Sequence, residues 1–286
     1  MKRIILLLLF LPVAFAGSTI FVAHSDDEII GASNVLIRNN NVTVIVFTDG
    51  APEEYNKSYA DELLRKNEQL SALSLLNKSI TIKYYDFDDL NFYNDLGVFG
   101  LFRTVYSITF YMNNHCSDTF YTHAYEAGHV DHDTVNFIVK KAHELSNCGN
   151  NLMEFTEYNP KGWGVPLGDL NNYTKIVLSD EEALLKMDML SKFVSQDVHN
   201  NCTGEDYANL SDECKNSIIN TYYFRDEYFR LMPEYDYSVS PSINNSWGNN
   251  FYNTLDLTGK LVNFYMNRWI FWGMILLFII LKSLRI

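Results

Sequence analysis

Basic residues are scarce in this chain. Lys and Arg total 22 against 35 Asp and Glu, a formal net charge of -13, so the surface repels phosphate backbones and no nucleic-acid partner is expected. The four cysteines, Cys116, Cys148, Cys202 and Cys214, include no Cys-x-x-Cys pair, which argues against a structural zinc site. Their even number suits two disulfides in an oxidising compartment, with Cys202 and Cys214 the preferred pair. No internal repeat occurs, and no low-complexity segment beyond scattered Asn. Charge-free apolar runs stop short of the about 20 residues that cross a bilayer.

Size and core-forming residues are ample. The chain has 286 residues, 47% of them hydrophobic, enough for one large α/β domain or two small ones. Residues 1–16 read as a signal peptide: Lys2 and Arg3, an apolar run from Ile4, then the small-x-small pattern Ala14-Phe15-Ala16, with an uncleaved signal anchor as the alternative. In a secretory lumen the sequons at Asn41, Asn56, Asn77, Asn172, Asn201, Asn209 and Asn244 become glycosylation acceptors, although an Asn-rich chain also produces them by chance. Near the other end Trp269 to Leu281 is apolar, with Arg268 before it and Lys282 and Arg285 after it. If Arg268 snorkels, residues 261–281 are long enough to span a membrane, with Tyr265, Trp269 and Trp272 as interfacial aromatics and the main domain on the lumenal or extracytoplasmic side. An interfacial or buried helix is the alternative. The expected organisation is therefore a signal segment at 1–16, one domain at 17–240, a linker at 241–260 and a membrane-associated helix at 261–281.

Strand-like runs at Ser18–Ala23, Val42–Thr48, Ile80–Asp86, Asp118–His123 and Leu152–Glu157 are short, β-branched or aromatic. Between them Glu28–Ile37, Tyr59–Leu76, Leu101–Met112 and Thr134–Leu145 carry apolar residues at helical spacing. Asp180–Phe193 and Cys214–Phe229 read as further helices, and Pro233–Asn253 as a loop region. The alternation predicts a Rossmann-like α/β fold, a mostly parallel sheet with helices on both faces, whose ligand site lies at the carboxyl ends of the strands.

Two residue clusters fall there. After the first strand comes His24-Ser25-Asp26-Asp27-Glu28. Adjacent carboxylates repel unless a cation sits among them, although the same acids would also suit the first turn of a helix. After the fourth strand comes Gly128-His129-Val130-Asp131-His132-Asp133, whose histidines, three apart on a helical turn, share one face. Two ligands from the first loop and one from the second leave a metal an open position, as in catalytic rather than structural zinc sites. Zinc then makes hydroxide available near neutral pH. Asp26 is placed to take a proton from water and pass it to a leaving amine, protonated His129 to stabilise an oxyanion, and Asp131 to keep His129 charged.

At these residues the chain resembles the PIG-L/LmbE-like de-N-acetylase family, whose marks are a His-Pro-Asp-Asp-Glu loop and a later His-x-x-His segment. Here they read HSDDE and GHVDHD, with Arg65-x-x-Glu68-x-x-x-Ala72-Leu73 between them. The likeness runs from about Ser18 to Leu145, and more faintly to Ser195-Gln196. It implies a zinc site of His24, Asp27 and His132, Asp26 as general base, His129 as electrostatic stabiliser, and an N-acetylglucosamine-containing substrate such as N-acetylglucosaminyl-phosphatidylinositol. Arg65 becomes a candidate for holding substrate hydroxyls or phosphate, or else an exposed helix charge paired with Asp61 or Glu68. Asp49 becomes a candidate sugar-hydroxyl acceptor, or else a turn residue before Gly50. Ser25 replaces the family's proline, which predicts a less rigid turn with the contacting atoms retained.

The leading expectation is thus a zinc-dependent amidohydrolase acting on an N-acetylated amino sugar or glycolipid. Two alternatives are a metal-dependent phosphoester hydrolase, disfavoured by the lack of a basic cluster to clamp phosphate, and a non-catalytic carbohydrate-binding protein, disfavoured by retention of Asp26.

Overall fold

The structure is a computed structural model and describes residues 16–52, 58–90, 92–149, 151–195, 222–242 and 247–265. Nine strands and five longer helices follow in chain order: β1 (Ser18–Val22), α1 (Asp27–Arg38), β2 (Val42–Thr48), α2 (Tyr59–Ser74), β3 (Ile80–Phe87), α3 (Phe92–Asn114), β4 (Thr119–His123), α4 (Val130–Leu145), β5 (Leu152–Phe155), β6 (Tyr158–Asn159), β7 (Gly162–Trp163), β8 (Thr174–Val177), α5 (Asp180–Leu190) and β9 (Asp226–Leu231). A further helix occupies 249–265. Seven strands form one sheet in the order β3-β2-β1-β4-β5-β9-β8. β1 to β5 are mutually parallel, and β9 and β8 add an antiparallel margin. The expected α/β architecture is present.

Both faces of the sheet are covered. Ile20 and Val22 of β1 point into one core with α1, α2 and α5, while Phe21 points into another with α3, α4 and the 249–265 helix, as the two-residue period of a strand requires. The strand order reverses between β1, which continues to β2, and β4, which continues to β5. That reversal opens a crevice at the carboxyl ends of β1 and β4, where His24 to Asp27 and His123 to His132 emerge.

Several local expectations change. Cys214–Phe229 is not one helix where it is described: a single turn at Tyr222–Arg225 gives way to β9, because Glu227 and Phe229 are drawn to buried positions beside β5 and β8. The stretch read as loop and linker contains the start of the 249–265 helix, with Phe251, Leu255, Thr258 and Val262 buried on the α3–α4 side. Cys116 and Cys148 form a disulfide that ties the residues after α3 to those after α4, while Cys202 and Cys214 lie outside the described residues. The signal segment and residues 266–281 also lie outside them. Among the described residues no helix is long and apolar enough to cross a membrane. The described sequon residues Asn41, Asn77 and Asn172 are exposed.

Candidate metal centre and active site

Three of the expected residues meet at one point. His24 Nδ1 lies 3.2 Å from Asp27 Oδ2, His132 Nε2 lies 3.3 Å from His24 Nδ1, and His132 Nε2 lies 3.4 Å from Asp27 Oδ2. Donors held at about 2.0–2.1 Å around a tetrahedral zinc stand about 3.3 Å apart, so this triangle fits one face of such a site. Local geometry explains the convergence. The turn after β1 lets Asp27 accept the His24 backbone N–H at 2.7 Å, and His132 sits on the first turn of α4.

The other atoms of these rings are held from behind. His24 Nε2 faces Asp89 Oδ1 at 3.0 Å and Asp131 Oδ2 at 3.5 Å, so a proton on Nε2 leaves Nδ1 free for a metal. The ring of His123 stacks on that of His132 at 3.9 Å between centroids. Its Nε2 lies 3.2 Å from Asp27 Oδ2 but accepts the Ala23 N–H at 3.0 Å, which occupies the lone pair a metal would need. Glu157, just past β5, is buried within 3.3 Å of His123 Nδ1 and 3.8 Å of His132 Nδ1. Asp89, His123 and Glu157 were not singled out from sequence. Asp89 and Glu157 enter from β3 and β5, far from either motif, and only their position at strand ends could have suggested them.

Acid is in excess at this centre. Burial and the neighbouring charges of Asp27 and Asp26 push the Glu157 carboxyl well above its usual range. Asp131 is pushed up to about 7 and Glu28 to about 8, in each case chiefly by burial. Burial, then His123, pushes His132 down to about 3, which keeps it a neutral donor. Eight buried side-chain atoms among the described residues have no hydrogen-bond partner, on Ser25, Glu28, Arg65, Thr122, His123, Asp131 and Glu157. Every one of these residues is in or beside the centre. Buried polar atoms are normally satisfied; the unmatched carboxylate oxygens of Asp131 and Glu157 among these fit a site for a cation.

Other expected roles change. Arg65 is buried, and its guanidinium donates twice to Asp26, at 3.2 and 3.4 Å; it is neither an exposed helix charge nor paired with Asp61 or Glu68. Gly50, with φ of 68°, makes room for it, since a Cβ there would stand 3.0 Å from Arg65 Nε. Glu68 instead accepts from the Ser195 backbone N–H and hydroxyl at 2.7 and 2.6 Å, which gives the faint likeness at Ser195 a physical basis. His129 is the N-cap of α4, and its Nδ1 accepts the Asp131 N–H at 3.2 Å. Burial and the charges of His24 and His132 hold its pKa well below the ordinary value. The Asp131 carboxylate stands 3.9 Å from its Nδ1 and accepts the Leu90 N–H at 2.7 Å. Asp49 Oδ1 accepts the Ala51 N–H at 3.0 Å, closing a turn on the same rim.

Solved structures of low identity share this architecture. The 4-carboxy-2-hydroxymuconate hydratase GalB from Pseudomonas putida KT2440 aligns with a TM-score of 0.52 at 13% identity, over 77% of this chain and 98% of that one. The A40926 pseudoaglycone deacetylase Dbv21 aligns with a TM-score of 0.52 at 17% identity, over 77% and 100%. The zinc inhibited form of the teicoplanin deacetylase Orf2 aligns with a TM-score of 0.53 at 15% identity, over 74% and 96%. At these identities the likeness concerns the fold, and a hydratase among the three shows that fold alone does not choose the reaction. Residues 19–143 match the model of the PIG-L family, described as GlcNAc-PI de-N-acetylase. No curated protein matches significantly.

Proposed function

We propose that the chain is a zinc-dependent de-N-acetylase that hydrolyses the acetamide of an N-acetylglucosamine-containing substrate, N-acetylglucosaminyl-phosphatidylinositol among the candidates. The observation that carries this reading is the triangle of His24 Nδ1, Asp27 Oδ2 and His132 Nε2 with the Asp26 carboxylate next to it in the same turn. A divalent ion held by those three residues supplies Lewis-acid polarisation of water and of the amide carbonyl. Asp26, aimed by the Arg65 fork, takes the proton of the attacking water and delivers it to the amide nitrogen as the C–N bond breaks, giving acetate and a free amine. With Nδ1 engaged by the Asp131 N–H, His129 acts as a neutral imidazole whose Nε2–H donates to the developing oxyanion. Asp49 accepts a sugar hydroxyl at the rim.

Commitment of Arg65 to Asp26 weakens the phosphoester alternative, because it removes the cation best placed to clamp a phosphate. We further propose an extracytoplasmic location with the chain tethered through its apolar tail, a reading supported by residues 1–16 and 261–281 of the sequence. The test is acetate release from N-acetylglucosaminyl-phosphatidylinositol and from free N-acetylated sugars, with wild-type and Asp26→Ala protein, before and after chelation. Zinc-loaded wild-type protein that binds these sugars without releasing acetate would overturn the enzyme reading in favour of a binder.

A further inference from the structure

We propose that the exposed face shared by α3 and the 249–265 helix docks on a phospholipid bilayer, so that the folded domain itself rests against the membrane. Among the described residues six aromatic side chains are strongly exposed: Tyr59, Phe99, Phe110, Trp163, Phe264 and Tyr265. Four of the six lie on these two helices, and Phe99 and Phe110 are each 74% exposed; apolar side chains gathered into a contiguous patch, unlike ones scattered singly, mark an interaction surface.

Their spacing makes one surface. At about 100° per residue, Phe99, Arg103, Tyr106 and Phe110 fall in one stripe along α3. The second helix presents Leu257, Phe264 and Tyr265 outward while Phe251, Leu255 and Val262 face the core, so its exposed stripe is not an unfinished core contact. Phe102 joins the two, 4.8 Å from Tyr106 and 5.2 Å from Tyr265 between ring centroids. Aromatic side chains with an arginine among them match the headgroup layer, where rings bury their faces and the guanidinium reaches phosphate.

The chain also says what the face meets. Four residues beyond Tyr265, at the edge of this surface, begins the apolar run Trp269 to Leu281, and a segment of that composition partitions into lipid. Whatever path it takes, a bilayer holding it lies within a few residues of Tyr265. The net charge of -13 favours zwitterionic over anionic lipid.

The test uses the full chain reconstituted in phosphatidylcholine vesicles that carry a diazirine on the acyl chain, with adducts mapped by mass spectrometry after illumination. Adducts on 99–110 and 257–265, and none on the exposed leucines Leu63, Leu64 and Leu70 of α2, are expected. The Phe99→Ser/Phe110→Ser variant should lower adduct yield on 99–110 by about tenfold while residues 269–281 remain labelled. Adducts confined to 269–281 would overturn the proposal. So would protection of 99–110 by the tail or by a second copy of the chain, either of which zero-length cross-linking detects. Acetate release has no part in this measurement, so failure of the catalytic reading would leave the result unaffected.

Discussion

Two clusters of buried charge in this molecule are built on opposite principles. In the first, Ala32 departs from helical geometry, with φ of -138°, and breaks α1 one turn past the site. The break orphans backbone groups, and buried ions satisfy them. Glu227 accepts the N–H groups of Ser33 and Asn34 at 3.0 and 2.9 Å, while Lys186 donates to the Ile30 carbonyl at 2.7 Å and to Glu227 at 3.0 Å. Each of these charges faces an opposite charge and a backbone dipole. In the second cluster, the crevice between β1 and β4, Asp27, Asp89, Asp131 and Glu157 crowd around histidines, and all eight unmatched buried atoms are found there or beside it. Balanced burial of this kind serves the fold, whereas unbalanced burial is tolerated where a ligand restores the balance.

Substitutions that break this contrast should differ in kind as well as in size. The largest expected effect is on chemistry: Asp26→Ala should lower acetate release by about 10²–10⁴-fold and leave zinc stoichiometry at the wild-type value, read by metal analysis of the same sample. Next comes the balanced cluster. Glu227→Ala leaves Lys186 buried and unpaired, which should cost about 3–5 kcal/mol in urea unfolding without changing zinc affinity in the folded fraction. The opposite sign is expected in the unbalanced cluster. Asp131→Asn removes a buried carboxylate that faces Asp89 and His24, so at about pH 8 the metal-free variant should unfold at the same or a higher urea midpoint than wild type, with a change of at most about 1–3 kcal/mol. A loss there as large as that of Glu227→Ala would erase the distinction.

The sheet and the convergence of His24, Asp27 and His132 were legible because each depends on local signals. Period-two strands, period-3.6 helices and the spacing within HSDDE and HVDH survive in one dimension. What could not be read depends on pieces brought together by the strand order. Glu157 and Asp89 reach the centre from β5 and β3, Arg65 crosses from α2 to a carboxylate 39 residues away in sequence, and β9 forms only because β5 and β8 offer it a place. His129 shows the same limit at smaller scale. Its neighbour Asp131 looked like a charge partner, but its carboxylate stands 3.9 Å from Nδ1, and the backbone N–H of that residue is the closer contact at 3.2 Å.

Glu126 provides the finest probe, because it stands between the two regimes. Its carboxylate accepts the Glu157 N–H at 3.2 Å and the Asn159 amide at 3.1 Å, with the Thr156 hydroxyl as a third donor, so it is matched like Glu227. No cation faces it among those contacts, and burial, only partly offset by these donors, pushes its pKa from 4.5 up to about 8. A folded-state pKa raised above the unfolded value means that the unfolded chain releases the proton first. Stability is therefore fully present below the unfolded pKa and is lost as pH rises from there through about 8. In chelator, the Tm of wild type should fall by on the order of 10 °C across this window relative to Glu126→Gln, at roughly 2–4 °C per kcal/mol for a domain of this size. Parallel curves for the two proteins would show that the three donors already hold Glu126 ionised at low pH, and would move it into the balanced class.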